Sequence, residues 1–258
     1  MSRIVVKVGT STLVYPSYGL NIRHVERLVK ILSDLQNAGN EMILVSSGAI
    51  AMGVNKLRFA KRPTSVVEKQ AYASVGQCEL MYTYDRLFEG YGETVSQILI
   101  TGDDMASEEK VASFQATMEY LIHHSVIPII NENDTMNAAE IISIGDNDTL
   151  AAIVACHCHA DLLVLYSDID GLYTADPNKD PKATLIHEVH GITEDIEKLG
   201  GDSISGQGTG GMVTKLYAAD MCTKAGIDMA ILNGSTPELI YDLLEGKPAG
   251  TLFLAQGK

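Results

Sequence analysis

The chain has 258 residues, with 33 acidic side chains against 19 basic ones, which gives a formal net charge of −14. Nucleic acids and anionic membranes bind proteins through an excess of Lys and Arg, so this charge excludes a general binder of either kind. A composition of 46% hydrophobic and 20% charged residues is that of a globular protein and excludes a disordered or fibrous chain.

Short apolar segments alternate with longer amphipathic segments along the chain. The apolar segments predict strands at 3–8, 41–45, 95–100, 126–130, 162–166, 228–232 and 251–254. The amphipathic segments predict helices at 21–39, 65–88, within 103–123, and at 147–159, 212–225 and 237–245. Continuous apolar strands joined by helices are typical of a mostly parallel sheet that is covered on both faces. We therefore expect one α/β domain, a three-layer α/β/α sandwich, in which 167–211 is the least regular part.

The four cysteines, Cys78, Cys156, Cys158 and Cys222, are few for this length, and no signal peptide or long apolar run is visible. This pattern favours a reducing, cytoplasmic location. The run from Cys156 to His159 alternates Cys and His, which raises the possibility of a zinc site. It lacks the CxxC spacing and a second pair of ligands, and buried or helix-end thiols are the alternative.

Lys7 lies inside the first apolar strand and is followed by Gly9, Thr10 and Ser11. A lysine is seldom fully buried without a partner. One interpretation is an edge strand with Lys7 in solvent, and the other is an ammonium presented to a phosphate beside the amides of a tight turn. The Ser-Gly turn after the second strand, 46–50, offers amides to an anion in the same way, but such a turn alone is a weak signal.

Two dense polar clusters follow in the chain, Asn131–Asp134 at a strand end and Gly145–Asp148 before a predicted helix. Turns rich in Asn and Asp are common for local reasons, so a turn is the alternative to a site at each position. As sites, the clusters could bind the amine of a zwitterion, hold Mg²⁺ or orient lysines. The acidic segment 167–177 is similar to a calcium loop but lacks the ligand pattern of an EF-hand.

The segment 205–215 is rich in glycine and ends at Lys215 on the first turns of a predicted helix. It satisfies GxGxxG, but the residues before it are polar and helix-like, so the dinucleotide-binding interpretation fails on context. Lys215 lies four residues beyond Gly211, which excludes a Walker A loop. The remaining interpretation is a Gly-rich anion cradle of another kind.

Six motifs taken in order, VVKVGTS, VSSGAIAMG, INENDT, IGDNDTLAA, SDIDGLYTADP and GTGGMVTK, resemble the amino-acid kinase family. Within it they are most similar to the members that phosphorylate the γ-carboxylate of glutamate, and the resemblance covers essentially the whole chain. It implies the amino-acid kinase fold in a single domain, with about 1–160 binding glutamate and about 161–258 binding the nucleotide. Many relatives carry a C-terminal PUA domain, and we expect none in these 258 residues.

The resemblance also implies roles for individual residues. Lys7 and Lys215 would contact the transferring phosphate, and Asp148 would hold the two lysines in position. The residues implied in glutamate binding are Ser47, Gly48, Ala49, Asn131, Asp134 and Asn147. Those implied in nucleotide binding are Lys7, Gly9, Thr10, Ser167, Asp168, Tyr173, Asp176, Thr209, Gly210, Gly211, Met212, Val213, Thr214 and Lys215.

The implied reaction forms γ-glutamyl phosphate and ADP from glutamate and ATP, as the first step of proline synthesis. Mg²⁺ is expected mainly through the ATP phosphates, with no metal ligands from the protein. Proline is the expected feedback inhibitor, and glutamyl phosphate reductase is a possible partner. The expected assembly is a homo-oligomer, and neither nucleic acid nor a membrane is expected as a partner.

The chemistry supports this interpretation independently in one respect. A glutamate carboxylate, with a reference pKa of about 4.3, arrives ionised and needs no general base, and the six motifs contain no histidine. The alternatives are another amino-acid kinase, acting on acetylglutamate, aspartate, carbamate or a nucleoside monophosphate, and a catalytically silent sensor of an amino acid or nucleotide. Lys7, Asp148 and Lys215 are all present, which argues against the sensor.

Overall fold

The computed structural model describes residues 1–58, 63–136, 146–177, 179–200 and 211–257. The strands in these ranges are β1 (Arg3–Val8), β2 (Glu41–Ser46), β3 (Thr94–Ile100), β4 (Val126–Glu132), β5 (Leu162–Ser167), β6 (Glu188–Val189), β7 (Asp228–Asn233) and β8 (Thr251–Phe253). The helices are α1 (Thr10–Leu13), α2 (Ile22–Asn37), α3 (Ala49–Leu57), α4 (Val66–Glu89), α5 (Gly102–Met105), α6 (Glu108–His123), α7 (Asn147–His157), α8 (Glu194–Leu199), α9 (Met212–Lys224) and α10 (Leu239–Leu244).

The described strands form one sheet in the order β3-β4-β2-β1-β5-β7-β8-β6. All neighbouring pairs are parallel except β7 and β8, which pair antiparallel. The prediction of a mostly parallel sheet is therefore confirmed. β1 lies at its centre, with Lys7 opposite Val45 of β2 on one side and Leu165 of β5 on the other.

The core has two halves, one on each face of the sheet, as a three-layer sandwich requires. Ile4, Val6 and Val8 of β1 pack with residues of α2 and α4 in one half. Val5, which points the other way, packs with residues of α7 and α9 in the second half. Burial on both faces explains why the strands of this sheet are apolar without alternation.

The helix boundaries follow from local signals in the sequence. The Asn21 side chain accepts a hydrogen bond from the backbone amide of His24 at the start of α2, and Gly39 just beyond its end has φ +93°. Ser65 and Glu68 form a reciprocal capping box at the start of α4. The predicted helix within 103–123 is divided because Ser107 caps a new helix, α6, after the short α5. The predicted helix at 147–159 ends at His157, two residues early.

Two glycines let α3 and α4 touch at backbone distance. A Cβ atom on Gly76 would lie 1.7 Å from the carbonyl oxygen of Ala49, and one on Gly53 would lie 2.0 Å from the carbonyl oxygen of Tyr72. No side chain fits either gap, so glycine is required at both positions. This contact fixes the first turn of α3, and with it the Ser47–Gly48 turn.

The fold brings the carboxyl ends of β1, β2, β4, β5 and β7 to one edge of the sheet. The chain passes from β1 to β2 in one direction and from β5 to β7 in the other, so the strand order reverses between β1 and β5. Ligands of open parallel sheets bind in the crevice at such a reversal. In the described part of the chain, no helix combines the length and apolar character needed to cross a bilayer.

Candidate active site

A buried carboxylate joins two lysines from opposite ends of the sequence. The Nζ atom of Lys7, in β1, lies 2.7 Å from Oδ1 of Asp148, and the Nζ atom of Lys215, in α9, lies 3.0 Å from Oδ2. The Asp148 side chain is 3% exposed, and those of Lys7 and Lys215 are 11% and 10% exposed. The interpretation of Lys7 as a solvent lysine on an edge strand is therefore wrong, because β1 is central and its lysine has a buried partner.

The position of Asp148 on the first turn of α7 favours its negative charge. The Asp146 side chain caps this helix by accepting hydrogen bonds from the amides of Asp148 and Thr149, at 2.7 and 3.0 Å. Burial alone would raise the pKa of Asp148, but Lys7 and Lys215 together hold it below its usual value of 3.8. Two ammonium groups share one carboxylate, so the cluster carries an excess positive charge at the crevice.

The lysines keep donors for a further anion. Each ammonium group has three N–H donors. Lys215 donates one of them to Oδ2 of Asp148, and Lys7 forms an ion pair with Oδ1. Lys215 also lies 3.5 Å from the carbonyl oxygen of Gly211, which is a long contact. Thr214 adds a hydroxyl that donates to Asp148 at 3.2 Å, so α9 approaches the carboxylate with two consecutive residues.

Side-chain amides connect three of the residues that the resemblance implies in glutamate binding. Nδ2 of Asn147 donates to the Ser47 hydroxyl at 2.6 Å and to Oδ1 of Asn131 at 3.1 Å. These residues come from the end of β2, the end of β4 and the first turn of α7. Asn147 is adjacent to Asp148, so this polar group lies beside the lysines.

The turn after β2 is built by a glycine in the left-handed conformation. Gly48 has φ +105° and precedes α3 without a side-chain cap, and Ala49 opens the helix. The free amides of this first turn form an anion-binding concavity of the kind found at helix N-termini. Gly48 and Ala49, which the resemblance implies in glutamate binding, therefore lie at this helix N-terminus directly after Ser47.

Asp134 lies just beyond β4, where burial raises the pKa of its carboxyl group. In the described residues its side chain has no hydrogen-bond or ion-pair partner, and it forms no hydrogen bond with Ser47, Asn131 or Asn147. A partly buried carboxylate that lacks a cation is suited to receive one.

Gln77 of α4 is a site residue that the sequence analysis did not identify. It is 8% exposed, and its Oε1 accepts a hydrogen bond from Nδ2 of Asn131 at 3.1 Å. Its own Nε2 has no partner within the described residues. Gln77 lies in an amphipathic helix and no motif surrounds it in the sequence. Its position next to Asn131 results from the tertiary packing of α4, which local sequence patterns do not show.

The residues expected to bind the nucleotide occupy the ends of β1, β5 and the start of α9. Gly9 and Thr10 form the turn after β1, and Ser167 and Asp168 end β5, where the Ser167 hydroxyl donates to Asp168 at 3.2 Å. Tyr173 donates to Asp170 at 2.9 Å, and the exposed Asp176 lies 3.2 Å from Lys179.

The start of α9 is described from Gly211 onward, and the expected residues Thr209 and Gly210 lie outside the described residues. Met212, Val213 and Thr214 are partly exposed, whereas Lys215 is buried on the helix. The element before this loop is the helix α8 (Glu194–Leu199). A dinucleotide-binding fingerprint would need a strand there, so the loop is not one.

The cysteines near the end of α7 have apolar surroundings. Cys158 is buried, which raises the pKa of its thiol to about 12, and Cys222 is buried as well. In the described part of the chain, no three His, Cys, Asp or Glu side chains form a group that could hold a metal. Both oxygens of Asp148 are engaged by lysines, so Mg²⁺ would need ligands other than this carboxylate.

Comparison with solved structures shows the fold. A carbamate kinase from Giardia lamblia bound to AMP-PNP matches with a TM-score of 0.70 and 15% identity over 99% of both chains. A UMP kinase from Bacillus anthracis matches with a TM-score of 0.66 and 14% identity, over 99% of this chain and 97% of that one. At these identities the likeness establishes the architecture and nothing finer.

Curated relatives are much closer in sequence. A protein named glutamate 5-kinase from Clostridium tetani is 50% identical over 255 residues, which cover 99% of this chain and 95% of the relative. Another of that name from Clostridium perfringens is 46% identical over 257 residues, 98% of this chain and 96% of the relative. The model of the amino acid kinase family matches residues 2–233. The chain therefore belongs to the amino acid kinase family.

Proposed function

We propose that this protein transfers the γ-phosphoryl group of ATP to the γ-carboxylate of L-glutamate, forming γ-glutamyl phosphate and ADP. The observation that carries the proposal is the buried pair of lysines on Asp148, directly beside the polar group of Ser47, Asn131 and Asn147. The relatives of 46–50% identity that are named glutamate 5-kinase support the choice of acceptor.

The site matches the difficulty of this reaction. The attacking carboxylate is already ionised at neutral pH, so the enzyme needs no base to remove a proton from it. The obstacle is that one anion must approach another, and the barrier falls when cations and N–H donors neutralise the charge that the transferring group carries. Lys7 and Lys215 supply those cations from a buried position, where Coulomb interactions are stronger than in water.

Within this proposal Lys7 and Lys215 hold the transferring phosphoryl group, and Asp148 positions both ammonium groups. The carboxylate keeps the lysines charged and fixes their rotamers, so little reorganisation is needed when the phosphate arrives. The lysines can do this because each has N–H donors that Asp148 does not use.

The acceptor binds at the ends of β2 and β4. Asp134 would pair with the α-ammonium of glutamate, which supplies the cation that its partly buried carboxyl lacks. Ser47, Asn131 and Asn147 would hold the substrate carboxylates through hydroxyl and amide donors, with the amides of Gly48 and Ala49 at the N-terminus of α3. Gln77 orients Asn131 from behind.

ATP would bind along β1, β5 and α9, through Gly9, Thr10, Ser167, Asp168, Tyr173, Asp176 and the segment 209–215. Mg²⁺ would be held by the ATP phosphates, and when bound it supplies further neutralisation of their charge. The proposal divides one kinase domain into a part of about 1–160 that binds glutamate and a part of about 161–258 that binds the nucleotide, with the turn at Gly9 and Thr10 reaching the nucleotide from the first part. The proposal includes a cytoplasmic homo-oligomer, inhibition by proline, and delivery of the product to a glutamyl phosphate reductase.

An acceptor assay tests the proposal. The protein is incubated with ATP, Mg²⁺ and hydroxylamine, which traps an acyl phosphate as a hydroxamate, and with glutamate, acetylglutamate, aspartate, carbamate or UMP as the acceptor, while ADP is measured in parallel. We expect γ-glutamyl hydroxamate and ADP in equal amounts with glutamate only. Turnover confined to acetylglutamate or another acceptor, or binding without turnover, would contradict the proposed function. Adding proline to the glutamate reaction tests the proposed inhibition.

A further inference from the structure

The neighbours of the Asn131 side chain fix the orientation of its amide at the end of β4. The backbone N–H of Glu132 donates to Oδ1 of Asn131 at 2.9 Å, and Nδ2 of Asn147 donates to the same oxygen at 3.1 Å. A backbone amide can only donate, so the oxygen of Asn131 must lie on this side and its nitrogen on the other. Nδ2 of Asn131 therefore faces Gln77 of α4, to whose Oε1 it donates at 3.1 Å.

This arrangement leaves one unused N–H on Asn131. An Asn side chain has two N–H donors and an oxygen that accepts twice, and three of these four hydrogen bonds are made with Glu132, Asn147 and Gln77. Asn131 is 3% exposed, and a buried N–H that finds no acceptor is unfavourable. A molecule that brings an oxygen to the end of β4 would satisfy it, and in the proposed function that oxygen belongs to a carboxylate of the substrate.

Gln77 supports this arrangement but leaves one of its own groups unpaired. Its Oε1 accepts from Asn131, and its buried Nε2 has no hydrogen-bond partner within the described residues. The opposite orientation of the Gln77 amide would place two N–H groups against each other, so it offers no relief. A buried donor without a partner destabilises a folded protein, so stability alone does not account for a glutamine at this position.

The packing of α4 holds Gln77 in place. Its neighbour Gly76 lies against the backbone of α3, where an added Cβ would be 1.7 Å from the carbonyl oxygen of Ala49. Two turns further along α4, the hydroxyl of the fully buried Tyr84 lies 2.9 Å from Oγ of Ser46, the last residue of β2. One helix therefore supports the ends of both strands that carry the proposed acceptor site.

We propose that Gln77 is a positioning residue for the acceptor substrate. By holding one N–H of Asn131, it directs the other N–H at a carboxylate oxygen of the substrate, and it acts only through Asn131. This inference rests on the proposed function, because it takes glutamate as the molecule that supplies the oxygen.

Steady-state kinetics of Gln77→Met, with glutamate and ATP varied in turn, test the proposal. Methionine is similar in size, but it offers Asn131 no oxygen and lacks the unpaired Nε2. We expect the KM for glutamate to rise about tenfold, while kcat and the KM for ATP stay within about threefold. The urea midpoint should stay near that of the wild type, because one unpaired buried donor replaces another. Gln77→Leu also lacks the oxygen and supplies the measurement if the first variant does not fold.

A double-mutant cycle with Asn131→Ala shows whether Gln77 acts through Asn131. The KM for glutamate of the double variant should equal that of Asn131→Ala alone within about twofold, since the contact to be lost is already absent. Ser33→Ala is the matched control. It removes another buried polar atom without a described partner, the Oγ of Ser33 in α2, and should leave both KM values unchanged.

An unchanged KM for glutamate in a folded Gln77 variant would overturn the proposal, and a lower urea midpoint with that unchanged KM would assign Gln77 a purely structural role. Additive effects of the two substitutions in the cycle would also overturn it, because Gln77 would then act by another route. Failure of the proposed function is a separate result. If the wild-type protein phosphorylates a different acceptor, the same cycle measured with that acceptor still tests Gln77.

Discussion

Among single residues, the most important for this protein are charges placed where water is largely excluded. Asp148 is the most constrained of them, because its two oxygens serve two different lysines and its backbone lies in a capped helix turn. Asp134 is the contrasting case, since burial raises its pKa and no partner in the described residues lowers it. The first carboxylate is satisfied by the protein, and the second is available to a substrate.

Asp134→Asn should raise the KM for glutamate by about 10- to 100-fold, because a charged hydrogen bond to the substrate ammonium is lost. The kcat should change much less, since Asp134 contacts neither lysine in the described structure. Steady-state kinetics with glutamate as the varied substrate measure both values. The exposed Asp103→Asn serves as the control and should leave both unchanged. An unaltered KM in Asp134→Asn would remove this residue from the substrate site.

Asp148→Asn should lower the free energy of unfolding at pH 7 by about 3–5 kcal/mol, because two buried lysines lose their counter-charge. The folded-state pKa of Asp148 is below the unfolded value of 3.8, so the stability from its ionisation is present above that pH and is lost as the pH falls through the lower folded value. The difference between wild type and variant should therefore be constant down to about pH 5 and narrow below 3.8.

Urea unfolding at several pH values measures this difference. Asp195→Asn breaks an exposed pair, in which the Asp195 side chain is 93% exposed, and should cost less than about 1 kcal/mol. An equal effect of the two substitutions would show that burial of the Asp148 pair has no energetic consequence.

At the scale of elements, helix packing decides where the substrate-binding turn lies. Gly53 and Gly76 bring α3 and α4 to backbone contact, and Gln77 follows Gly76 directly in α4. This helix interface therefore fixes the position of the first turn of α3 and of Gln77, which accepts a hydrogen bond from Asn131. The sequence analysis anticipated the turn at Gly48 but not this contact, because nothing local in a helical pattern shows which glycine faces another helix.

Gly76→Ala distinguishes packing from helix propensity. Propensity alone predicts that Ala stabilises the middle of α4 by about 1 kcal/mol. The structure predicts the opposite, a loss of about 3 kcal/mol or more, since the new Cβ would lie 1.7 Å from the Ala49 carbonyl oxygen and the helices would have to separate.

Thermal or urea unfolding gives the sign directly. Gly19→Ala is the matched control, because the nearest atom to its Cβ is 3.6 Å away, and it should change stability by less than about 1 kcal/mol. A more stable Gly76→Ala protein would show that the helices are not in contact as described.

At the scale of the whole molecule, the parallel sheet assembles a site from residues that are far apart in the chain. The strands and most helices were predictable because burial on both faces leaves apolar runs and because capping residues mark helix ends. The motifs at Lys7, Asn147 and Lys215 were also visible in the sequence. The meeting of Lys7 and Lys215 at Asp148 was expected from the family resemblance alone, because the strand order that places β1 at the centre of the sheet cannot be read from local patterns.

The net charge of −14 belongs to the surface of this molecule, and it coexists with a local positive site at the buried lysine pair.

We propose that the buried lysines carry the phosphoryl transfer. The most direct measurement is the kcat for γ-glutamyl hydroxamate formation in Lys215→Ala, compared with Lys224→Ala on the same helix. Lys224 forms an exposed pair with Asp220, so its loss should change kcat less than about twofold. We expect kcat to fall about 100-fold or more in Lys215→Ala, with the fold retained by circular dichroism. Near-normal turnover in a folded Lys215→Ala protein would contradict the proposed role of the lysines.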